Sequence, residues 1–519
     1  MAGSSSDVNM VRVTNEEFLK KAQSLTPSLH ETLVTPTALV NVEKGGKVTR
    51  RGDADSLSGI ELKKGDSVIL DFGDHQVGYL SLKMKTVGSP QDAPVYIRLK
   101  FAERPGELLE NSADYDGWIS SSWIQEEFIH LDVLPVTLEM PRRYAFRYVE
   151  IYTMDVSIKF QLVIEEAVCR SVSSAASEPE PLVSSDPRMQ QMDKVSIRTL
   201  HNCMQSVFED GPKRDRRLWL GDLRLQALAN YATFRQNDLV KRCLYLFAAQ
   251  TRDDGAIGAC LFIEPVHLVD DTFLFDYSLF YVAALRDYLK ATGDRETAEE
   301  LWPSAYRQIE LAGKQLDERG VVIDGGDAFW CFVDWKEGLN KQASAQAIYV
   351  FCINAGIELA EMLDLKEQKK ILEEKRDHAV EAALNYLYDE KEQLFVSGPD
   401  RQISYASQVW MVMADIVSGE DGAALLKRVS ELNPPYGMVT PYMYHHYVEA
   451  LIKCGEKEKA LESMEGYWGG MLDQGADTFW ELYNPENPTE SPYGSDMVNS
   501  YCHAWSCTPT YILRELLKD

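Results

Sequence analysis

The first third of the chain alternates apolar and polar positions, and the remainder repeats apolar residues at helical intervals. A period of two buries one face of a strand, so residues 67–72, 78–84, 95–101, 125–131, 144–152 and 158–164 are predicted strands. A polar turn at 73–76 separates the first two. Short strands at regular spacing predict an antiparallel β-sandwich. Between residues 171 and 185, Ser, Ala, Glu and Pro crowd together, which marks a linker. Beyond it Asp186-Pro187 opens a helical pattern, and helices are predicted near 187–207, 222–235, 238–251, 276–291, 295–317, 341–363, 366–388, 404–418, 420–432, 440–453, 457–467 and 498–517. Twelve helices in sequential hairpins close as six inner and six outer, an (α/α)6 barrel. No internal sequence repeat is evident, which argues against a solenoid. The predicted organisation is multidomain, β then α: an N-terminal antiparallel β-sandwich over residues 1–183, then an (α/α)6 barrel over 184–519.

Composition removes some function classes. The formal net charge of −28 argues against nucleic acid and anionic membranes, since both are polyanions. Hydrophobic content of 45% and charged content of 26% are ordinary for a soluble globular protein. No run reads as a transmembrane segment, and Met1 to Asn9 lacks the basic-then-apolar order of a signal peptide. The nine cysteines form no metal or redox spacing and fall mostly on predicted helices, so a reducing cytoplasm is the expected compartment. His445 and His446 are adjacent without matching ligands, so no metal site is expected, and no cofactor. No Gly-x-Ser-x-Gly elbow supports a serine hydrolase. The oligomeric state stays open, with a homodimer as one expectation.

One loop is far denser in charge than a connection needs. Asp210-Gly211-Pro212-Lys213-Arg214-Asp215-Arg216-Arg217-Leu218-Trp219-Leu220-Gly221-Asp222 puts three aspartates and four basic residues around one tryptophan, between two predicted helices. Two readings stand on residue types alone. Buried charges must pair, so the cluster could line a cleft. Equally, Asp222 could cap the next helix, Gly-Pro could turn the chain, and the Arg–Asp pairs could be a solvated face.

Other loops are rich in acids and aromatics. Residues 325–335 end in Asp334-Trp335, residues 475–481 carry Thr478-Phe479-Trp480-Glu481, and residues 499–506 carry His503. Aromatic faces beside carboxylates suit a sugar, whose C–H patches stack and whose hydroxyls seek acceptors. In the β region, residues 111–118 form a polar, aromatic loop that could reach a sugar, although a packing role is expected for that domain as a whole.

The charged loop resembles the signature of family 78 glycoside hydrolases, the α-L-rhamnosidases: Asp, then Arg-Glu/Asp-Arg, then Trp-x-Gly-Asp. The Asp-Trp pair, the Thr-x-Trp-Glu element and the His-containing element near the last helix are similar to that family in the same order. The resemblance implies an inverting hydrolase of terminal α-L-rhamnose, acting on small rhamnosylated glycosides, in a short form without a C-terminal β domain. It implies Asp215 as general acid and Glu481 as general base. By the same similarity Asp210, Arg214, Trp219, Asp222, Asp334, Trp335 and His503 bind the sugar. Many members carry Glu at the acid position, so Asp215 is one methylene shorter, and Asp222 is the alternative donor. The rival readings are an (α/α)6 glycosidase for another terminal sugar and a catalytically inactive carbohydrate-binding protein.

Overall fold

A computed structural model describes residues 10–326 and 328–518; residues 1–9, read above for a leader, lie outside them. The β-rich part comprises β1 (Arg12–Thr14), β2 (His30–Val34), β3 (Ala38–Glu43), β4 (Lys47–Asp53), β5 (Ser67–Gly88), β6 (Val95–Ala102), β7 (Glu126–Leu131), β8 (Val136–Glu139), β9 (Tyr144–Asp155) and β10 (Phe160–Ser173). Strands β2 to β10 join through antiparallel ladders in the order β2-β10-β5-β9-β6-β7, with β3 and β8 also on β5 and β4 on β3.

The two strands predicted at 67–72 and 78–84 are one strand of 22 residues. The polar turn expected between them is a break in register between Asp71 and Gln76. There Gly73 takes φ +86°, and its N–H donates to the Asp71 carboxylate at 2.8 Å. Ahead of the break β5 pairs with β3 and β9; beyond it β9 follows only as far as Gly78, and β10 and β8 pair with the rest of the strand. The sequence reading missed β2 and β4 because both are largely exposed and carry no alternation.

Helix α1 (Glu16–Ser24) was also not anticipated; Asn15 caps it by accepting the Glu17 and Phe18 N–H groups at 3.1 Å. It packs on α4, and β1 pairs with residues 250–252, so this N-terminal segment adheres to the helical part. That part runs α2 (Pro187–Cys203), α3 (Leu220–Ala232), α4 (Asn237–Ala249), α5 (Phe275–Thr292), α6 (Arg295–Gly313), α7 (Gln342–Met362), α8 (Lys366–Tyr386), α9 (Tyr405–Met413), α10 (Gly419–Leu432), α11 (Pro441–Lys453) and α12 (Lys457–Met464). The linker's expected helix start holds: Asp186 accepts the Arg188 N–H and Pro187 occupies the first turn.

Helices α3, α5, α7, α9 and α11 touch one another in succession, and residues 504–516 touch both α11 and α3. Packing follows composition. Helix α7 is apolar all round and buried, whereas α8 buries only Leu372, Ala379, Ala382 and Ala383. Against the sequence reading, the 21 residues of α7 are long and apolar enough to span a membrane; 89% of its most apolar window is buried, as in a core helix.

The last predicted helix, 498–517, is broken. A 3-10 turn at Ala504–Ser506 precedes short helical turns at Pro509–Tyr511 and Ile512–Leu516. Pro509 cannot donate into a preceding turn. Ahead of it the backbone is drawn out instead, with His503 N–H on Phe479 O at 2.9 Å and Ala504 N–H on Asp210 O at 2.7 Å.

Candidate functional site

The charged loop is folded inward, which decides between the two readings of it. Asp210, Lys213 and Arg214 are buried, and Asp215 keeps 23% of its side chain exposed. Asp210 organises the turn: its carboxylate accepts the N–H groups of Arg217 at 3.0 Å and Asp215 at 3.3 Å. Burial, then Asp215 and Asp222, push its pKa well above the ordinary carboxylate range despite the Arg217 N–H. The motif's Gly221 is required sterically, because a Cβ there would lie 2.4 Å from the Tyr277 ring. Tyr277 in turn meets Trp219 edge-on at 6.3 Å.

Arg214 links the two predicted catalytic carboxylates. One terminal nitrogen donates to Glu481 Oε2, the other lies 3.5 Å from Asp215 Oδ1, and Nε donates to Val498 O at 2.8 Å. Glu481 is buried, and its second oxygen accepts the Tyr493 hydroxyl. Burial raises the Glu481 pKa while Arg214 opposes the rise. The Arg214 guanidinium lies 4.1 Å over the Tyr493 ring. Glu481 is pinned through its backbone as well, N–H to Ser500 O at 3.0 Å and carbonyl to Trp505 Nε1 at 2.8 Å.

Asp222, in the first turn of α3, and His503, in the drawn-out C-terminal segment, face each other with 3.5 Å between Oδ1 and Nδ1. Neither atom has a hydrogen-bond partner among the described residues. Burial, then Glu481 and Asp215, push Asp222 well above the usual carboxylate range. Burial, then Arg214, pushes His503 well below the usual imidazole range, so its ring is neutral. The pair offers an acceptor and a neutral ring nitrogen to a ligand hydroxyl.

Trp335 completes the aromatic side. It lies edge-on to Tyr493 at 6.2 Å and to Phe332 at 5.4 Å, and its buried Nε1 has no partner among the described residues. Two buried aspartates fix its loop. Asp276 of α5 accepts Phe332 N–H at 3.0 Å and Val333 N–H at 3.0 Å. Asp334 accepts Trp335 N–H at 2.9 Å, Val439 N–H at 2.9 Å, and Thr440 through N–H at 3.0 Å and hydroxyl at 2.7 Å. Between them Val333 holds φ +56°, a conformation costly for a β-branched residue and kept by these flanking bonds. Burial raises Asp334 to about 6, its four donors notwithstanding.

The structure therefore brings Asp210, Arg214, Asp215, Trp219, Asp222, Trp335, Glu481 and His503 around one region, with Asp334 engaged behind Trp335. Tyr493 and Tyr277 escaped the sequence reading. Tyr493 sits in the turn-forming run Ser491-Pro492-Tyr493-Gly494, and nothing in that run separates it from an ordinary loop tyrosine.

Comparisons with known proteins bear on this arrangement. Residues 32–171 match the glycosyl hydrolase family 78 alpha-rhamnosidase N-terminal domain, and residues 180–517 the bacterial alpha-L-rhamnosidase 6 hairpin glycosidase domain. Among solved structures, a rhamnosidase from Klebsiella oxytoca with rhamnose bound is 45% identical with TM-score 0.95, over 97% of this chain and 99% of that one. The family 78 rhamnosidase of Bacillus sp. GL1 is 21% identical with TM-score 0.74, over 90% of this chain and 49% of that chain. The Streptomyces avermitilis α-L-rhamnosidase complexed with L-rhamnose is 17% identical with TM-score 0.65, over 94% and 44% respectively; this chain spans about half of these two longer proteins or less, and they share its fold. A search of curated proteins returns no match. The matches cover both parts of the chain and the charged loop lies inside the larger, so the chain belongs to glycoside hydrolase family 78, the α-L-rhamnosidases.

Proposed function

We propose that this protein hydrolyses terminal α-L-rhamnosides of small glycosides with inversion, Asp215 acting as general acid and Glu481 as general base. The observation that carries the reading is the Arg214 guanidinium shared by the two carboxylates, one open to solvent and one enclosed. The Klebsiella oxytoca rhamnosidase, 45% identical over nearly the whole chain, supports the choice of sugar.

The enclosed group suits the base. Glu481, flanked by Arg214 and the Tyr493 hydroxyl, takes a proton from a water molecule while the water oxygen bonds to the anomeric carbon. As that bond forms, the glycosidic C–O bond breaks and Asp215 protonates the departing oxygen. The aglycone leaves toward solvent, the side on which Asp215 is exposed. Asp222 Oδ1 and His503 Nδ1, buried and without partners among the described residues, hold hydroxyls of the rhamnosyl ring, and Trp335 lines its apolar side. The succession of α3, α5, α7, α9, α11 and residues 504–516, with α2, α4, α6, α8, α10 and α12 outside, supports an (α/α)6 barrel. The bent β5 supports a sandwich ahead of it. Nine free cysteines, eight of them buried, fit a cytoplasmic enzyme.

An NMR time course on an aryl α-L-rhamnoside tests the reading and should give β-L-rhamnose as the first anomer. Asp215→Asn should slow poor leaving groups by about 10²–10⁴-fold and activated aryl groups far less, while Glu481→Gln slows both alike. α-L-Rhamnose first, or leaving-group dependence from Asp222→Asn in place of Asp215→Asn, would refute the assignment. Clear preference for another aryl glycoside would refute the sugar.

A further inference from the structure

Trp118 stands out on the β-rich part because 59% of it is exposed although both its N–H groups are anchored. Its backbone N–H donates to Tyr493 O at 3.0 Å, and its indole Nε1 donates to Pro492 O at 2.8 Å. A ring held by its edge has lost its rotational freedom and still offers an open face. Folding alone gains little from such an arrangement, whereas a ligand binds it without a further ordering cost.

The anchor leads directly to the catalytic groups. The Trp118 ring lies 5.6 Å from that of Tyr493. Tyr493 in turn packs under Arg214, meets Trp335 edge-on and gives its hydroxyl to Glu481. Gly117 leaves room for its own loop, where a Cβ would lie 2.4 Å from the Tyr115 hydroxyl, and Gly494 takes φ +85° with its Cβ direction facing the Gly117 Cα. Further along the same loop, Ser120, Ser122 and Trp123 border a 250 Å³ recess with Lys213 and Arg216, which flank Arg214 and Asp215 in sequence. The loop therefore reaches from the turn holding the base to the turn carrying the acid. With the rhamnosyl ring seated by Asp222 and His503, the leaving group must pass over this rim.

Resting on the rhamnosidase reading above, we propose that Trp118 is the platform that binds the aglycone, and that it selects planar aromatic leaving groups. A flat apolar face beside Tyr493 stacks over the whole of an aryl ring and meets far less area of a methyl group.

Kinetics of the whole protein test this. With 4-nitrophenyl and 2-naphthyl α-L-rhamnosides, Trp118→Ala should raise KM about tenfold and leave kcat near that of the wild type. Trp118→Phe should restore most of the loss. Inhibition constants for L-rhamnose and methyl α-L-rhamnoside should not move in either variant. An unchanged aryl KM in Trp118→Ala overturns the platform while the rhamnosidase reading stands. Equal weakening of the aryl and the methyl ligands also overturns it, since Trp118 would then act only by supporting Tyr493. A wild-type protein inactive on every rhamnoside overturns both.

Discussion

Two buried polar clusters meet at the charged loop, and they differ in whether their hydrogen bonds close. On the sheet side, His75 lies 2.9 Å from Glu103 Oε1 and 2.8 Å from the Asn202 amide. Glu103 Oε2 accepts Tyr501 N–H at 2.7 Å. Lys213 donates to Glu107 at 2.9 Å and to Asn499 O at 3.0 Å, and Glu107 accepts Arg104 N–H at 3.1 Å. No polar side-chain atom of His75, Glu103, Glu107, Asn202 or Lys213 is left over. On the other side of Arg214, Asp222 Oδ1, His503 Nδ1 and Trp335 Nε1 are all buried and have no partner among the described residues. An unpaired buried polar atom costs about 1–3 kcal/mol. The first cluster is thus a strut between the sheet and the helices, and the second stores an affinity that only a ligand's hydroxyls release.

The comparison breaks most easily at Lys213. Lys213→Met keeps the aliphatic stem but takes the ammonium from Glu107, whose buried Oε2 then has no donor, while Glu103 keeps His75 and the Tyr501 N–H. Removing one partner of such a network costs about 3–5 kcal/mol. The expected result is a large drop in melting temperature that saturating L-rhamnose does not erase. A variant that melts with the wild type would mean that the strut carries little stability.

A pH titration sharpens the same side. Burial alone would lower the His75 pKa, but Cys502, Glu103 and Asp477 outweigh it and raise it to about 9. A histidine whose folded pKa is raised contributes stability in full below its unfolded value of about 6.5 and loses it as pH climbs through the folded value. Melting temperature should therefore fall between about pH 6.5 and 9, by an amount on the order of 3 kcal/mol in stability. His75→Gln should flatten that slope. A slope that persists unchanged in His75→Gln assigns the dependence to other groups.

The strut was invisible in the sequence, and the reason is physical. His75, Glu103 and Asn202 belong to three segments far apart in the chain, and each alone reads as an ordinary polar residue. The charged loop stood out because its density of charge is local, seven charged residues within thirteen positions, but residue types left a solvated face equally open and the family resemblance carried it to a site. Asp334 was legible as a position, but not the fact that its carboxylate is spent on the Val439–Thr440 turn. Helical spacing located α2 to α12 because apolar residues recur at that period along each of them, whether one face is buried, as in α8, or nearly all of the helix, as in α7. It failed at 498–517, where apolar content persisted but the backbone was drawn toward Asp210 and Phe479 by bonds that no periodicity encodes.

The smallest effect lies on the open side. Asp222→Leu replaces a carboxyl whose Oδ1 has no partner with an apolar group of similar length. The chain loses the oxygen that faces the Trp505 backbone, and escapes the cost of burying a carboxyl beside Glu481 and Asp215. These two changes oppose each other, so the melting temperature of the ligand-free protein should stay level or rise. Binding goes the other way. A rhamnosyl hydroxyl that had met Asp222 would find no acceptor, a loss of about 1.4 kcal/mol or more, so L-rhamnose should bind at least about tenfold more weakly by calorimetry. In the strut a substitution removes stability whether or not ligand is present; at Asp222 it removes affinity and spares the fold. If Asp222→Leu melts as early as Lys213→Met, the two clusters are one structural unit and the distinction between them is wrong.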